Sequence, residues 1–520
     1  MRWILILLFG LISSAASGQS RPNIVIILAD DMGFSDIGCY GSEIPTPNLD
    51  RLAQNGLRLT QFYNNARCCP SRASLLTGRY PHQAGVGHMV DDYAKRIRAN
   101  ANSPAYDDHL SPKATTIAEA LRAADYRTLM CGKWHLGRRQ EEWPVHRGFD
   151  RSFTCIDGAM NYFGFDAQGR AAPLKLDDQP FVPPKEGFYS TDAFTDHAIQ
   201  FVKEAHDTTK PFFLYLAYNA PHWPLHAPAE DVARHQGKYM GGWQAIRKAR
   251  HRKQIELGLL PAGSPIAPMD RGKTPAWDEL TDDQRKEWDL RMAVYAAMIQ
   301  RMDRNIGRLV ESLAQQKILD NTLILFISDN GGAAEDPNRS EPGAATGSQN
   351  SFVGYARPWA TVSNTPLRFH KSSVHEGGIS SPCIVHWPAV IKADRNNSYL
   401  NTPAHLIDIM PTCLEIAGKS AADLAGNSLV ALITAQSLPQ RMLFWEHEGN
   451  SAVRDGRWKL VRLHAKPWEL YDIDLDRTEA TDLAAQEPKI VKRLATEYEN
   501  WAQRCGVLPW AKLSSTRPAN

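Results

Sequence analysis

Short apolar runs rich in β-branched residues alternate along the chain with segments of helical periodicity. Four of these runs lead directly into polar residues, and they lie at residues 23–28, 127–130, 211–216 and 322–327. Residues 291–313 instead carry an apolar stripe at helical spacing, which predicts a helix packed on a sheet. The alternation predicts an α/β fold in which a large, mostly parallel sheet is sandwiched by helices.

The pattern changes near residue 436, where short strand-like runs precede a terminal helical segment. The runs are RMLFWEH and GRWKLVRL, and the helix is predicted at residues 488–505. We therefore expect a main domain at residues 22–435 and a small C-terminal α+β domain at residues 436–520, with an antiparallel sheet and one helix.

Two segments of the main domain have a less regular pattern. Residues 333–365 are rich in Gly, Pro, Ser and Asn and predict a long loop beside the functional site. The basic run at residues 246–253 predicts a solvated helix face.

The chain begins with MRWILILLFGLISSAASGQS, which combines a positive charge, an apolar run and small residues. The apolar run at residues 3–12 is shorter than the roughly 20 residues of a membrane-spanning helix, so the pattern predicts a signal peptide at residues 1–18. We expect an exported protein, periplasmic or secreted, without a stable membrane anchor. The formal net charge is only +2, so we expect no nucleic-acid partner.

Acidic residues follow the first and last of the four runs at the point where each run ends. Asp30 and Asp31 follow the first run, and Asp329 and Asn330 follow the last. Ligands bind at this edge of open α/β sheets, where the four side chains would meet. Three carboxylates need a cation between them to stay ionised, and oxygen ligands favour calcium or magnesium. Each pair alone would suit a turn or helix cap, but the repeated placement predicts a metal site.

Basic residues and histidines follow the other two runs. Lys133 and His135 come shortly after residues 127–130, and His222 comes shortly after residues 211–216. The same argument about strand ends places these side chains at the edge where the acidic residues meet.

The stretch RCCPSRASLLTGRY at residues 67–80 places adjacent cysteines at the start of a predicted helix. Pro70 suits a first helical turn, so Cys68 would lie beside a helix N-terminus, which favours an anion or an activated nucleophile. Arg72 adds a fixed positive charge suited to an oxyanion. The eight cysteines of the chain are sparse, and their spacing matches neither a disulfide scaffold nor a zinc site.

Seven short motifs occur along the chain in an order that resembles a known enzyme family. CCPSRASLLTG is similar to the Cys-x-Pro-Ser-Arg-x-x-x-Leu-Thr-Gly motif of the type I sulfatases, formylglycine-dependent and arylsulfatase-like members of the alkaline phosphatase superfamily. The other six are PNIVIILADDMGFSDIGCYG, TPNLDRLA, GKWHLG, APHWP, SDNGG and KSSVHEGG. The resemblance covers roughly residues 22–390, and GRWKLVR and WELYDIDLD resemble the small C-terminal domain of the family.

The resemblance implies a formylglycine mechanism. In sulfatases the motif cysteine, here Cys68, is oxidised by a formylglycine-generating maturation enzyme to an aldehyde that hydrates to a geminal diol. One hydroxyl attacks the sulfur of a sulfate monoester, and the other expels inorganic sulfate as the aldehyde reforms. By the same resemblance, one calcium ion per chain is bound by Asp30, Asp31, Asp329 and Asn330.

The resemblance also implies roles for the other polar residues of the motifs. Arg72 would support the diol, while Lys133 and Lys371 would hold sulfate oxygens in the transition state. His135 would assist collapse of the diol, and His222 would protonate the leaving oxygen.

Alternative functions stay open at this point. A phosphonate or phosphate monoester hydrolase of the same superfamily would share the metal cluster and the matured cysteine. An inactive relative would only bind sulfated glycans. Aryl sulfates and sulfated carbohydrates would need the same core, so both substrate classes stay open, as does the oligomeric state. We also expect His447 or Asn450 to contact the organic part of the substrate.

Overall fold

The computed structural model describes residues 21–208 and 210–515, and the predicted signal peptide lies outside these residues. One large sheet of eleven strands dominates the described part of the chain. Its strands are β1 (Asn23–Ala29), β2 (Leu57–Tyr63), β3 (Arg127–Lys133), β4 (Arg151–Cys155), β5 (Leu174–Leu176), β6 (Gln179–Phe181), β7 (Phe212–Ala217), β8 (Thr322–Ser328), β9 (Ser380–His386), β10 (Ser398–Leu400) and β11 (Ala404–His405).

The strands of the large sheet follow the order β10-β2-β9-β8-β1-β7-β3-β4-β5-β6, and β11 pairs with β2. The centre is parallel, since β1 lies between β7 and β8, and β3 lies on the far side of β7. Strand β9 runs antiparallel to both β2 and β8, and β5 and β6 form antiparallel pairs at one edge. The predicted α/β fold with a mostly parallel sheet is confirmed, and the antiparallel strands make that sheet mixed.

Fourteen α-helices are described. They are α1 (Pro47–Gln54), α2 (Cys68–Thr77), α3 (Lys95–Ala101), α4 (Ile117–Arg122), α5 (Ser190–His206), α6 (Ala229–Val232), α7 (Gly242–Glu256), α8 (Asp282–Gln315), α9 (Ala356–Ser363), α10 (Glu376–Ile379), α11 (Ile409–Ile416), α12 (Val430–Ile433), α13 (Pro488–Cys505) and α14 (Trp510–Leu513). Helix α8 contains the predicted helix at residues 291–313 and is capped by Thr281, whose side chain accepts a hydrogen bond from the Gln284 amide.

Helices cover both faces of the large sheet and bury two separate apolar layers. Along β1, Val25 and Ile27 join the layer that contains α5 and α8. Ile24 and Ile26 join the opposite layer, which contains α2, α4 and α11. Because successive strand residues point to opposite faces, a strand segment buried on both faces must be apolar throughout, as residues 24–29 of β1 are.

A second, antiparallel sheet lies near the C-terminus. Its strands are β12 (Met442–His447), β13 (Asn450–Asp455), β14 (Trp458–Arg462) and β15 (Glu469–Asp472), paired in this order. Helix α13 packs on one face through Leu494, Tyr498 and Trp501. On the other face, Trp445 packs against Tyr63 of the large sheet. The predicted antiparallel sheet with one packed helix is confirmed.

Two sequence predictions for the main domain need correction. Residues 333–365 do not form one long loop, because α9 lies within them and buries the Trp359 side chain against the sheet-facing core. The basic run at residues 246–253 is helical but not fully solvated. Its Arg250 side chain is buried and pairs with Asp36 at 2.6 Å, and it also contacts Glu43.

Among the helices of the described residues, none combines the length and the apolar character needed to cross a membrane.

Candidate active site

Cys68 is the first residue of α2 and lies at the base of a cleft. Arg67, which precedes the helix, has an extended backbone conformation, and every residue of α2 is buried. The Cys68 side chain is 1% exposed, and all eight cysteines are free thiols. Cys68 therefore lies at a buried helix N-terminus, where free backbone N–H groups favour negative charge.

The parallel pairing of β1 and β8 brings the acidic residues together. Ala29 is paired with Ser328, so the residues that follow them emerge side by side. The Asp31 amide donates a hydrogen bond to Asp329 Oδ1 at 3.2 Å, and Asn330 Nδ2 donates to Asp31 Oδ1 at 2.7 Å. The four oxygen-bearing residues therefore form one buried cluster at the carboxyl edge of the sheet.

Three basic side chains contact this acidic cluster. Arg72 Nη2 lies 2.9 Å from Asp329 Oδ2, and Lys133 Nζ lies 2.6 Å from Asp30 Oδ2.

Lys371 Nζ lies 2.7 Å from Asp31 Oδ1. The three cations balance the charge of the three carboxylates, which would otherwise repel one another strongly in a buried site.

The acidic cluster also fits a hard divalent cation. Asp30 Oδ1 and Asn330 Oδ1 are buried and accept no hydrogen bond from any described residue. Buried polar atoms normally have a partner, and calcium prefers carboxylate and amide oxygens. The donor set and its two unpartnered oxygens are therefore suited to calcium.

The pKa values of the two central carboxyl groups are shifted in opposite directions. Burial alone would raise the pKa of Asp30, but the charges of Lys133 and His222 hold it below its usual value. Burial and the neighbouring Asp30 charge raise the pKa of Asp329 well above its usual value. A cation between the two groups would favour the ionised form of both.

The thiol of Cys68 lies in an environment that favours negative charge. A hydrogen bond from Cys69 and the charges of Lys133 and Lys371 hold the pKa of Cys68 well below its usual range, against the effect of burial. The ring of His135 lies beside the two thiols, with donor atoms within 4.8 Å of one another. An oxyanion formed at residue 68 would experience the same positive surroundings.

His135 is oriented by an acidic residue that the sequence analysis did not identify. Its Nε2 lies 2.8 Å from Asp91 Oδ2. Burial disfavours the charged ring, but the Asp91 carboxylate raises the pKa of His135 above its usual value. Asp91 lies in a segment without periodicity or a strand end, so no sequence signal indicated it.

His222 and Lys371 both contact Asp31, whereas Arg72 contacts Asp329. His222 Nε2 lies 3.4 Å from Asp31 Oδ2, and its Nδ1 lies beside the Trp223 carbonyl oxygen. Burial lowers the pKa of His222, so the ring is neutral near pH 7.

Glu335 is a second residue that the sequence analysis missed. Its carboxylate lies 3.4 Å from Lys371 Nζ and 2.8 Å from Arg67 Nη1, and it accepts a hydrogen bond from the Trp223 indole at 3.3 Å. Although burial opposes it, the charges of Lys371 and Arg67 hold the pKa of Glu335 well below its usual range. The Glu335 carboxylate thus contacts Arg67, Lys371 and Trp223, which belong to three different segments of the cleft wall. Its position at the start of the predicted loop was the only indication in the sequence.

A cleft of about 400 Å³ opens above Cys68. His135, His222 and Lys371 line its base, and Trp223 and Phe352 form part of its rim, together with Arg138, Arg339 and Tyr93. All ten residues predicted from the sequence therefore lie in the acidic cluster or around Cys68 at the base of this cleft.

The predicted substrate contact by His447 is wrong in this structure. The His447 side chain is fully buried, and its ring is nearly parallel to that of His88. Asn450 is partly exposed, but its side-chain amide donates to the Ser372 carbonyl and its oxygen accepts from the His464 amide.

Two family models match the chain. The Sulfatase family matches residues 22–419, and the family described as N-sulphoglucosamine sulphohydrolase, C-terminal, matches residues 367–503. The first match covers well over half of the chain and includes the acidic cluster, Cys68 and the residues around them.

Individual proteins resemble the chain over most of its length. An uncharacterized sulfatase of Schizosaccharomyces pombe is 34% identical over 94% of this chain and 95% of its own. An arylsulfatase of Klebsiella aerogenes is 34% identical over 82% of this chain and 95% of its own. The crystal structure of Ps i-CgsB in complex with k-i-k-neocarrahexaose has a TM-score of 0.69 at 27% identity, covering 95% of this chain and 100% of the other. The chain therefore belongs to the sulfatase family, within the alkaline-phosphatase-like superfamily, and is a sulfuric ester hydrolase.

Proposed function

We propose that the enzyme hydrolyses sulfate monoesters of aryl or carbohydrate alcohols, using a formylglycine formed from Cys68 and one bound calcium ion. The observation that carries the proposal is the position of Cys68. It begins a buried helix, lies beside His135, and has Lys133 and Lys371 as charged neighbours. The adjacent acidic cluster has two unpartnered buried oxygens that suit a cation.

Two groups would supply chemistry that the unmodified side chains lack. Formylglycine at residue 68 would offer a hydrated aldehyde as nucleophile, and a calcium ion held by Asp30, Asp31, Asp329 and Asn330 would supply a Lewis acid. In the protein, Arg72 supports the nucleophile. Its guanidinium is fixed by Asp329 and by the Lys133 carbonyl oxygen, to which Nη1 donates at 2.8 Å. A charge held in this way needs no reorganisation during the reaction.

Lys133 and Lys371 are proposed to hold the sulfate oxygens. Their ammonium groups approach the acidic cluster from different elements, β3 and the segment before α10, and both are buried. Positive charges in a site that excludes water stabilise the negative charge of the transition state more strongly than they would in solution.

The two histidines are proposed to move protons at opposite ends of the reacting group. His135 is held through Nε2 by Asp91 and can accept a proton from residue 68. His222 is neutral in the free enzyme, and the charge of a bound sulfate group would favour its protonated form. Protonated His222 can then donate to the leaving alcohol oxygen.

The rim of the cleft is proposed to bind the organic part of the substrate. The rings of Trp223 and Phe352 lie 5.8 Å apart, and the Arg339 guanidinium lies 4.8 Å from the Phe352 ring centroid. Aromatic faces of this kind bind aryl groups and the apolar faces of sugars. The similarity to an arylsulfatase and to a protein crystallised with k-i-k-neocarrahexaose supports both substrate classes.

The division of the chain and its location belong to the same proposal. We propose a catalytic domain at residues 22–435, a small domain at residues 436–520, and export directed by a signal peptide at residues 1–18. A formylglycine-generating enzyme is the required maturation partner. The protein would then act in the periplasm or outside the cell.

The proposal is tested by measuring inorganic sulfate released from a panel of aryl and sugar sulfates, with matched phosphate and phosphonate esters. Mass spectrometry of the residue 68 peptide would establish the fraction matured, and Cys68→Ala serves as control. We expect sulfate release that requires matured protein, is lost in Cys68→Ala, and is lost on chelation and restored by calcium. Faster turnover of phosphate or phosphonate esters would contradict the proposal, as would binding of sulfated glycans without turnover by fully matured protein.

A further inference from the structure

A group of three metal-ligating side chains lies outside the proposed active site. His88 is in the segment that follows α2, while His447 ends β12 and Glu448 lies in the turn before β13. One ligand atom from each of the three lies within 4.8 Å of the other two. The group therefore joins the segment after α2 to the small C-terminal sheet.

The distances within this group suit one small metal ion. Glu448 Oε1 lies 3.2 Å from His88 Nε2 and 3.8 Å from His447 Nε2. Two ligands bound at about 2.1 Å to a tetrahedral zinc ion lie roughly 3.4 Å apart, which is close to both distances.

The separation of the two imidazole rings is also compatible with a shared ion. Their centroids lie 5.5 Å apart. Two imidazoles that bind one tetrahedral ion through Nε2 have centroids about 5 Å apart, so binding would need a rotation of the rings rather than a movement of the backbone.

The burial of His447 provides an independent indication of a ligand. Its side chain is fully buried, yet neither ring nitrogen has a hydrogen-bond partner among the residues that the structure describes. The nearby His82 ring, in contrast, has a partner within the chain. Its Nε2 lies 3.0 Å from the Glu446 carboxylate, which also accepts a hydrogen bond from the Gly449 amide. Buried polar groups usually have a partner, so the two unpaired ring nitrogens of His447 point to a ligand that the described residues do not supply.

We propose that His88, His447 and Glu448 form a second metal site, which binds one zinc ion. Two imidazoles and a carboxylate are a common zinc ligand set, whereas the oxygen ligands of the acidic cluster suit calcium. Bound zinc would fasten the β12–β13 turn to the segment after α2. The site does not depend on the proposed catalytic mechanism.

The test measures the zinc content of the purified protein. Bound metals are first removed with a chelator, and excess calcium is added to fill the acidic cluster. The protein is then incubated with zinc chloride and desalted before the measurement. We expect one zinc per chain in the wild type, and a loss of that zinc in His88→Gln and in Glu448→Gln. Glu448→Gln keeps the size and shape of the side chain, so it remains informative if His88→Gln folds poorly. Zinc should also raise the thermal midpoint of the wild type and leave that of Glu448→Gln unchanged.

The main competing ligand group is Cys68, Cys69 and His135, so Cys69→Ser is the matched control and should retain the zinc. The absorption spectrum of the protein with cobalt(II) in place of zinc should show ligand-field bands. It should lack a thiolate-to-cobalt charge-transfer band, because no cysteine belongs to the proposed site. Absence of zinc binding by the wild type, retention of zinc in both Gln variants, or loss of zinc in Cys69→Ser would each overturn the proposal.

Discussion

Lys459 Nζ lies 2.9 Å from Glu376 Oε1, and both side chains are fully buried. Lys459 belongs to β14 of the small sheet, whereas Glu376 begins α10, five residues after Lys371. The same ammonium group lies 2.8 Å from Glu479 Oε1. The small C-terminal sheet therefore supports the segment that carries a proposed sulfate-binding lysine.

Removal of Lys459 should strongly destabilise the protein. Lys459→Met leaves buried carboxylates without their main counter-charge, and we expect a loss of about 3–5 kcal/mol, seen as a lower midpoint of urea unfolding. Lys466→Met, an exposed substitution in the same region, should change stability by about 0.5 kcal/mol or less. Equal effects of the two substitutions would show that the buried pair is not a major source of stability.

Glu376 should make the protein sensitive to acid. Burial would raise its pKa, but Lys459 and Arg477 lower it to about 2, from an ordinary value of 4.5. A depressed carboxyl pKa contributes stability that is present above pH 4.5 and is lost as the pH falls towards 2. We expect the thermal midpoint of Glu376→Gln to fall less steeply between pH 5 and pH 3 than that of the wild type. The exposed substitution Glu141→Gln should follow the wild-type curve, and a Glu376→Gln curve as steep as the wild type would refute this assignment.

The sequence predicted the parts of the site that depend on strand ends. Asp31 and Asp329 follow adjacent parallel strands, and the pairing of those strands places them together without any contribution from loops. Local pattern also predicted the helix that begins at Cys68, because Pro70 marks its first turn.

The parts that the sequence did not predict depend on contacts between distant segments. Glu335 gains its role from Arg67 and Lys371, which approach it from elements far apart in the chain. The burial of Arg250 likewise depends on Asp36, a partner more than two hundred residues away. Hydrophobic periodicity carries no information about such pairs, so they became visible only in the folded structure.

Glu335 should act as a positioning residue for Lys371. Glu335→Gln keeps the shape of the side chain but removes the charge that faces Lys371 and Arg67. Because a small displacement of Lys371 would weaken its contact with the sulfate oxygens in the transition state, we expect kcat to fall by about 10- to 100-fold with little change in KM.

The control for this prediction is Glu341→Gln, an exposed substitution in the same segment, which should leave kcat unchanged. The thermal midpoint of Glu335→Gln should stay near that of the wild type. A fall in kcat that is matched by a general loss of stability would indicate a structural role instead.

Asp91 should set the pH dependence of the reaction through His135. Burial disfavours the His135 charge, but the Asp91 carboxylate raises its pKa above the usual value, while Asp91 itself has a pKa of about 2 and stays ionised. If neutral His135 accepts a proton, activity rises as the pH passes upward through its pKa. Asp91→Asn lowers that pKa, so the acidic limb of the kcat/KM profile should move to lower pH.

The neighbouring substitution Asp92→Asn is the matched control, because Asp92 contacts Arg138 and Lys95. Its profile should coincide with that of the wild type. The maximal rate of Asp91→Asn should also fall, since the His135 ring loses the partner that orients it at 2.8 Å. An acidic limb that stays in place in Asp91→Asn, or moves to higher pH, would show that His135 does not act as the proton acceptor.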